Sequence, residues 1–331
     1  MKHILLLTTG GTIASRPTEE GLAPGLDGED LARSIPFLTD SYTVAVRDIL
    51  HLDSSNIQPE EWQLIAQAVY AERVDYDGIV ITHGTDTMAY TAAALSYLIQ
   101  FSPKPIVLTG SQKSICLENT DARMNLYNAF LYAASEGSRG VSLVFDGKVI
   151  LGTRARKERT KSFNAFSSVD YPEIGVIRDG RLIRYLPALD AKESPDFYHT
   201  LEDRVLLLTL IPGMGTEALA ALEDSYQAVI LQSFGVGGLP GGGSGPFAQA
   251  VERWLQAGKT IVMLTQVPYE GSDMAVYQVG YQVKEKYRLL EGYNMTLEAA
   301  VTKLMWVLGR TRDPEQVEAL FYRPVQWDII R

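Results

Sequence analysis

The sequence predicts an α/β protein of two doubly wound domains, a larger N-terminal one with a parallel-rich sheet and a smaller C-terminal one with a parallel sheet. Three observations predict it. Short apolar runs recur without alternating with polar residues, the mark of strands buried on both faces. Segments with helical apolar spacing fill the gaps between those runs. Two of the runs end in threonine-bearing glycine turns, placed just past the carboxyl end of a strand, where open α/β sheets bind their ligands.

The elements follow in order. Met1-Lys2-His3 and the run Ile4 to Leu7 superficially resemble a signal peptide, but the run is too short and the turn Thr8-Thr9-Gly10-Gly11-Thr12 follows, so this is the first strand. Asp53-Ser54-Ser55-Asn56 reads as a loop leading to a helix that opens at Pro59-Glu60-Glu61, with Trp62, Ile65, Ala66 and Val69 as its apolar stripe. The strand Gly78 to Ile81 runs through Thr82-His83-Gly84-Thr85-Asp86 into a helix from Thr87 to Leu98. A strand at Pro105 to Leu108 and a helix at Asp121 to Ala134 come next.

Between Pro187 and Arg204 the chain is polar and acidic, carries Pro195 and lacks a sustained apolar period. The expected organisation is therefore a domain over 1–187, a connection over 188–204 and a domain over 205–331. In the second domain, strands are expected at Val205 to Leu210, Ala228 to Leu231 and Thr260 to Leu264, and helices at Pro246 to Gln256 and Thr296 to Leu308. Gly258-Lys259-Thr260 resembles the end of a phosphate loop, but Arg253 stands where its first glycine belongs, so it reads as a helix stop. Gly235-Val236-Gly237-Gly238-Leu239-Pro240 fails as a dinucleotide fingerprint because Pro240 replaces the third glycine.

Composition narrows the function. The length of 331 residues fits about two domains, and 46% hydrophobic with 21% charged residues is ordinary for a soluble globular chain. The net charge of −10 is spread along the chain with no basic patch, which argues against a nucleic-acid partner. Cys116 is the single cysteine, so no intramolecular disulfide is possible and a reducing, cytoplasmic setting is expected. No apolar stretch approaches the roughly 20 residues of a membrane span.

The turns carry the chemistry. Gly10-Gly11 lets the backbone turn tightly and bring its N–H groups near a ligand, and Thr12 places a hydroxyl there that fits either a nucleophile or a simple backbone cap. Thr85 or Asp86 before the next helix fits an N-cap, and fits equally a group that holds a ligand ammonium while exposed N–H groups stabilise negative charge. His83 tempts towards a serine-type triad, but no G-x-S-x-G elbow exists, and a packing or hydrogen-bonding role fits better. No HExxH or paired-histidine spacing suggests a metal.

Thr8-Thr9-Gly10-Gly11-Thr12-Ile13-Ala14-Ser15, His83-Gly84-Thr85-Asp86-Thr87-Met88-Ala89-Tyr90 and the intervening Asp53-Ser54-Ser55 together closely resemble the bacterial-type L-asparaginases, the cytoplasmic type I branch fitting best. The likeness continues through Thr109-Gly110-Ser111, Asp121, Asn125-Leu126, the Lys157 to Tyr171 segment and Lys303-Leu304-Met305-Trp306, and so covers essentially the whole chain. It implies a homodimer or homotetramer of two-domain subunits that hydrolyse L-asparagine to L-aspartate and ammonia without a cofactor. Thr12 would be the nucleophile, forming an aspartyl ester that water resolves, with Thr85, Asp86 and Lys157 as the second catalytic group. Lys161 competes for the lysine's place; the family lysine lies nine residues before the phenylalanine of an Ala-Phe or Thr-Phe pair, and counting back from Phe166 gives Lys157. Ser54 and Ser55 would meet the α-carboxylate and Asp86 the α-ammonium, with Asp53, Thr85 and Ser111 completing the substrate site.

The chain departs from the pattern in places. Many members carry a tyrosine ten residues after the nucleophile, in a loop that closes over the substrate; here that position is Leu22, within a Gly-, Pro- and acid-containing loop from Arg16 to Gly28. With that tyrosine missing, a water path from Thr12 to Thr85 and Lys157 is the expected proton route. Arg156 and Gln232 stand where cooperative type I enzymes hold a threonine and an arginine for an effector asparagine, which argues against allosteric activation. The resemblance also places the Gly235 to Gly245 loop near a neighbouring subunit's site. Two rivals remain: the ammonia-generating subunit of a glutamyl-tRNA amidotransferase, expected to need an N-terminal extension before Thr8, and a non-catalytic amino-acid sensor, which would not need Thr12 or Lys157.

Overall fold

The computed structural model describes residues 1–18, 21–35, 41–242, 245–276, 284 and 286–331. The chain divides into two compact units, Met1–His199 and Thr200–Arg331.

The first unit is built on an eight-stranded sheet in the order Arg181–Arg184, Gly175–Arg178, Lys148–Leu151, Gly140–Phe145, Pro105–Thr109, Gly78–Thr82, Lys2–Gly10 and Tyr42–Leu52. Its parallel half runs from Gly140–Phe145 to Tyr42–Leu52. The strands Gly78–Thr82 and Pro105–Thr109 are buried at every position, as continuous apolar runs covered on both faces require. Helices Pro59–Glu72, Met88–Leu98 and Ala122–Ala134 form where expected, the last two following the expected strands Gly78–Thr82 and Pro105–Thr109. On one face Leu126, Ala129, Phe130 and Ala133 pack with Ile4, Leu6, Val80 and Val107.

The register places the site. Thr8 pairs with Thr82, and Thr82 with Thr109, so three neighbouring parallel strands end level and their following turns emerge side by side.

The other half of the sheet is antiparallel, which the apolar-run reading did not detect. Phe145 pairs with Lys148 across Asp146-Gly147, and Arg178 with Arg181 across Asp179-Gly180. All four turn residues have φ between 49° and 73°, the two-residue hairpin geometry that suits Asp-Gly. Tyr42–Leu52 also escaped, because an edge strand of mixed exposure shows no continuous apolar run. The stretch 188–204 is not wholly irregular: Asp196–Phe197 pairs antiparallel with Ile99–Gln100.

Within the loop Arg16 to Gly28, Ser15–Thr18 and Gly21–Pro24 form an antiparallel pair, and residues 19–20 lie outside the described residues.

The second unit holds a four-stranded parallel sheet in the order Val205–Thr209, Ala228–Ser233, Thr260–Thr265 and Leu290–Glu291. Helix Pro246–Gln256 packs Phe247, Val251 and Trp254 against Val229, Leu231, Ile261 and Met263. It ends as a Schellman motif: Gly258, at φ 73°, donates to Leu255 O at 2.9 Å, and Lys259 N donates to Trp254 O at 3.0 Å. The Gly258-Lys259-Thr260 segment is thus a helix stop and not a phosphate loop. Helix Leu297–Leu308 is capped by Thr296, whose side chain accepts from Ala299 N. In the Gly235 to Gly245 loop, residues 243–244 lie outside the described residues.

Candidate active site

Four strand ends and the turns after them assemble the site in the first unit. Gly10 and Gly11 both have positive φ, 98° and 85°, and a Cβ on Gly11 would lie 2.4 Å from Gly84 N. A Cβ on Gly84 would in turn lie 2.6 Å from Ser54 Oγ, and one on Gly110 would lie 2.3 Å from His83 O. Distances this short leave no space for a side chain, so the glycines let the Thr12, Ser54, Thr85 and Ser111 turns approach closely.

Thr12 opens a single 3-10 turn, Thr12–Ala14, and is half-buried. Gly11 N donates to Leu52 O at 3.1 Å, which fixes the turn to the next strand's end. Among the described residues no hydrogen bond engages the Thr12 hydroxyl.

The second group is tightly connected. Lys157 Nζ donates to Thr85 Oγ1 at 2.7 Å and to Asp86 Oδ1 at 2.6 Å, across more than seventy positions of sequence. Its side chain is 16% exposed while that of Asp86 is 67% exposed, so the lysine is enclosed and the carboxylate faces solvent. Lys157 lies on the short strand Ala155–Lys157, paired through Phe166; Lys161 is exposed and makes no such contact among the described residues.

Ser54 is buried and its Oγ accepts from Asp86 N at 3.2 Å, which leaves its own proton for a ligand. Thr87, at the N-cap of helix Met88–Leu98, makes no cap to that helix; its hydroxyl donates to Ser54 O at 2.7 Å and binds the two turns together. Asp53 and Ser55 are exposed and engage each other: Ser55 Oγ donates to Asp53 Oδ1 at 2.6 Å and Ser55 N donates at 2.8 Å. These donors, the hydroxyl first, hold the Asp53 carboxyl below its ordinary pKa. Ser111 is buried, and its hydroxyl donates to Lys113 O, so its proton is committed within its own turn.

His83 is wholly buried and supports the turn from behind. Its Nδ1 meets Gly84 O at 2.7 Å and its Nε2 meets Thr91 Oγ1 at 2.9 Å; Trp62 Nε1 donates to the same Thr91 oxygen at 3.0 Å. Only one arrangement satisfies all three atoms: Trp62 to Thr91, Thr91 to Nε2, and Nδ1–H to Gly84 O. The imidazole is therefore neutral, and burial lowers its pKa to about 4 against the opposing pull of the Gly84 carbonyl.

Sequence reasoning did not single out Gln112. Its N–H donates to both oxygens of Asp121, at 3.1 and 2.9 Å, and Asp121 also accepts from Asn125 Nδ2 at 3.0 Å. Its side-chain Oε1 accepts from Thr85 Oγ1 at 3.3 Å. The available signal was position alone: Gln112 follows Gly110-Ser111 at the carboxyl end of a strand level with the Thr85 strand.

Comparison with known proteins gives the family. The family model described as asparaginase, N-terminal, matches residues 3–188, and that described as glutaminase/asparaginase C-terminal domain matches residues 204–321. An L-asparaginase of Thermococcus kodakarensis is 40% identical over 98% of this chain and 98% of its own. L-asparaginase 1 of Escherichia coli is 33% identical over 96% of this chain and 94% of its own. The solved structure of the thermostable L-asparaginase from Thermococcus kodakarensis superimposes with a TM-score of 0.93 at 38% identity, covering 99% of each chain. Two family models in tandem, these relatives and the shared two-domain α/β fold establish that the chain belongs to the asparaginase/glutaminase family, in its type I branch.

Proposed function

We propose that this chain hydrolyses the side-chain amide of L-asparagine, releasing L-aspartate and ammonia, with Thr12 as nucleophile. The observation that carries the reading is Lys157 Nζ held between Thr85 Oγ1 and Asp86 Oδ1 at 2.7 and 2.6 Å, beside a glycine turn that presents an unengaged threonine hydroxyl. A binding module has no need of an enclosed lysine on a hydroxyl.

The roles follow from the chemistry. Asp86, exposed beside the turn, attracts the α-ammonium, and the Ser54 hydroxyl proton is free for the α-carboxylate. Asp53 and Ser55 act as a pair, since Ser55 reaches a ligand only by turning from Asp53. Thr12 Oγ attacks the amide carbon, and its proton passes through water, held by the Thr85 hydroxyl that Lys157 anchors, to the leaving amide nitrogen. Ammonia leaves with a proton from the same path, and water then cleaves the aspartyl ester. Among the described residues no backbone acceptor engages the N–H groups of Thr12 and Thr85, which leaves both free to face the developing oxyanion. Ser111 serves the substrate through its turn, its hydroxyl being held by Lys113.

The exposed lone thiol of Cys116 fits a reducing, cytoplasmic setting. A homodimer or homotetramer is the proposed assembly, which light scattering measures directly.

Ammonia release over a concentration series of L-asparagine tests the reading. Turnover by the wild-type chain is expected to fall at least about 10³-fold in Thr12→Ala while asparagine binding survives. No turnover by folded protein would favour a sensor or an amidotransferase subunit instead.

A further inference from the structure

The Gln112 side chain is fixed at both ends. Its Nε2 donates to Arg159 O at 3.3 Å and to Ser162 O at 3.1 Å. Two carbonyls on the nitrogen side determine which way the amide faces, because the flipped amide would set its oxygen against both of them. Its Oε1 therefore faces Thr85, and an amide oxygen only accepts, so the Thr85 proton points at Gln112. Lys157 then donates into a Thr85 lone pair, and the second lone pair is left open to the reaction space.

We propose that Gln112 is a positioning residue for the reaction: by taking the Thr85 proton it fixes the hydroxyl so that one lone pair meets Lys157 and the other meets the substrate or attacking water. This rests on the reading of Thr85 as part of the proton path. Lys157 donates to Thr85 throughout and takes no proton; the Thr12 proton passes to a water hydrogen-bonded to the open Thr85 lone pair, and that water gives a proton to the leaving amide nitrogen. Neither Gln112 nor Thr85 gains or loses a proton; the Thr85 O–H stays on Gln112 and its open lone pair holds the water in line. The anchorage of Gln112 N on Asp121, and of Asp121 on Asn125, keeps the amide in place while this happens. Gln112 also ties the Arg159–Ser162 segment, which follows Lys157, to the turn that bears Thr85.

Steady-state kinetics of Gln112→Met in two backgrounds test the proposal. In the wild-type background kcat for asparagine is expected to fall about tenfold with KM changed less than about threefold, because Ser54 and Asp86 are untouched. Thr85→Ser keeps the hydroxyl but removes the methyl that stiffens its rotamer, so there the same substitution is expected to cost kcat about a hundredfold. Gln112→Asn, which withdraws the amide by one methylene, repeats both measurements if the methionine variant fails to fold. Equal losses in the two backgrounds, a loss carried by KM, or unchanged kcat would each overturn the proposal. Absence of asparagine turnover in the wild-type chain would instead sink the functional reading beneath it.

Discussion

At the scale of single residues, the site separates groups that work by charge from those that work by direction. Lys157 and Asp86 supply charge; Thr87, Gln112 and His83 fix where hydrogens point. His83 shows how much depends on direction, since a protonated Nε2 would lose its bond from Thr91 and bring an uncompensated charge into a wholly buried position. Its folded pKa of about 4 lies below the ordinary 6.5, so below pH 6.5 the unfolded chain binds the proton first. His83 therefore costs stability progressively as pH falls from about 6.5 to about 4, approaching about 3 kcal/mol in all. Proton NMR of the imidazole is expected to report a neutral ring down to about pH 4; a midpoint near 6.5 would contradict the buried, neutral assignment.

At the scale of elements, the site is a set of turns that can approach because glycines stand at the contacts. A methyl on Gly84 would meet both Oγ and Cβ of Ser54, at 2.6 and 2.7 Å, and Ser54 must then move away from Asp86 N. Gly84→Ala is expected to destabilise the fold by about 1–3 kcal/mol through this overpacking. It should raise KM for asparagine at least about tenfold while kcat changes less, because Ser54 is displaced and Lys157 is not. Unchanged KM would show that Ser54 does not meet the substrate. The same scale explains what the sequence concealed. Asp146-Gly147 and Asp179-Gly180 are strong hairpin signals, but the segments beside the second are too short and too exposed to register as apolar runs.

At the scale of the whole molecule, the second unit carries a wholly buried ion pair of its own. Lys303 and Asp328 form an ion pair at 2.7 Å with both side chains 0% exposed, in the second unit. Lys303 Nζ also donates to Arg323 O at 2.8 Å, and Asp328 accepts from Val325 N at 2.9 Å, so this pair holds the last residues against helix Leu297–Leu308. Burial lowers the lysine's pKa against the opposing pull of Asp328. Asp328→Asn strands a buried cation and is expected to cost about 3–5 kcal/mol, whereas Lys303→Met with Asp328→Leu restores most of the loss. Trp62 is the only tryptophan of the first unit, so denaturation followed by fluorescence in a Trp62→Phe background reads the second unit through Trp254, Trp306 and Trp327. A loss below about 1 kcal/mol would show that the pair is dispensable.

The sequence by itself determined the buried parallel strands, the helices between them, and the threonine–glycine turns at the strand ends. Each of these depends on local properties: apolar period, helix stops, and backbone angles that only glycine adopts cheaply. Together with the family likeness it also selected Lys157 over Lys161, and the structure brings Lys157 to Thr85. Only the tertiary structure decided the direction of the hydroxyl groups, the part played by Gln112, and the turning of Ser55 and Ser111 to partners in their own loops. The physical reason is range. Thr85 and Lys157 are 72 positions apart, and Thr85 and Gln112 are 27 apart, so the register of a folded sheet, not any neighbouring residue, sets which donor meets which acceptor.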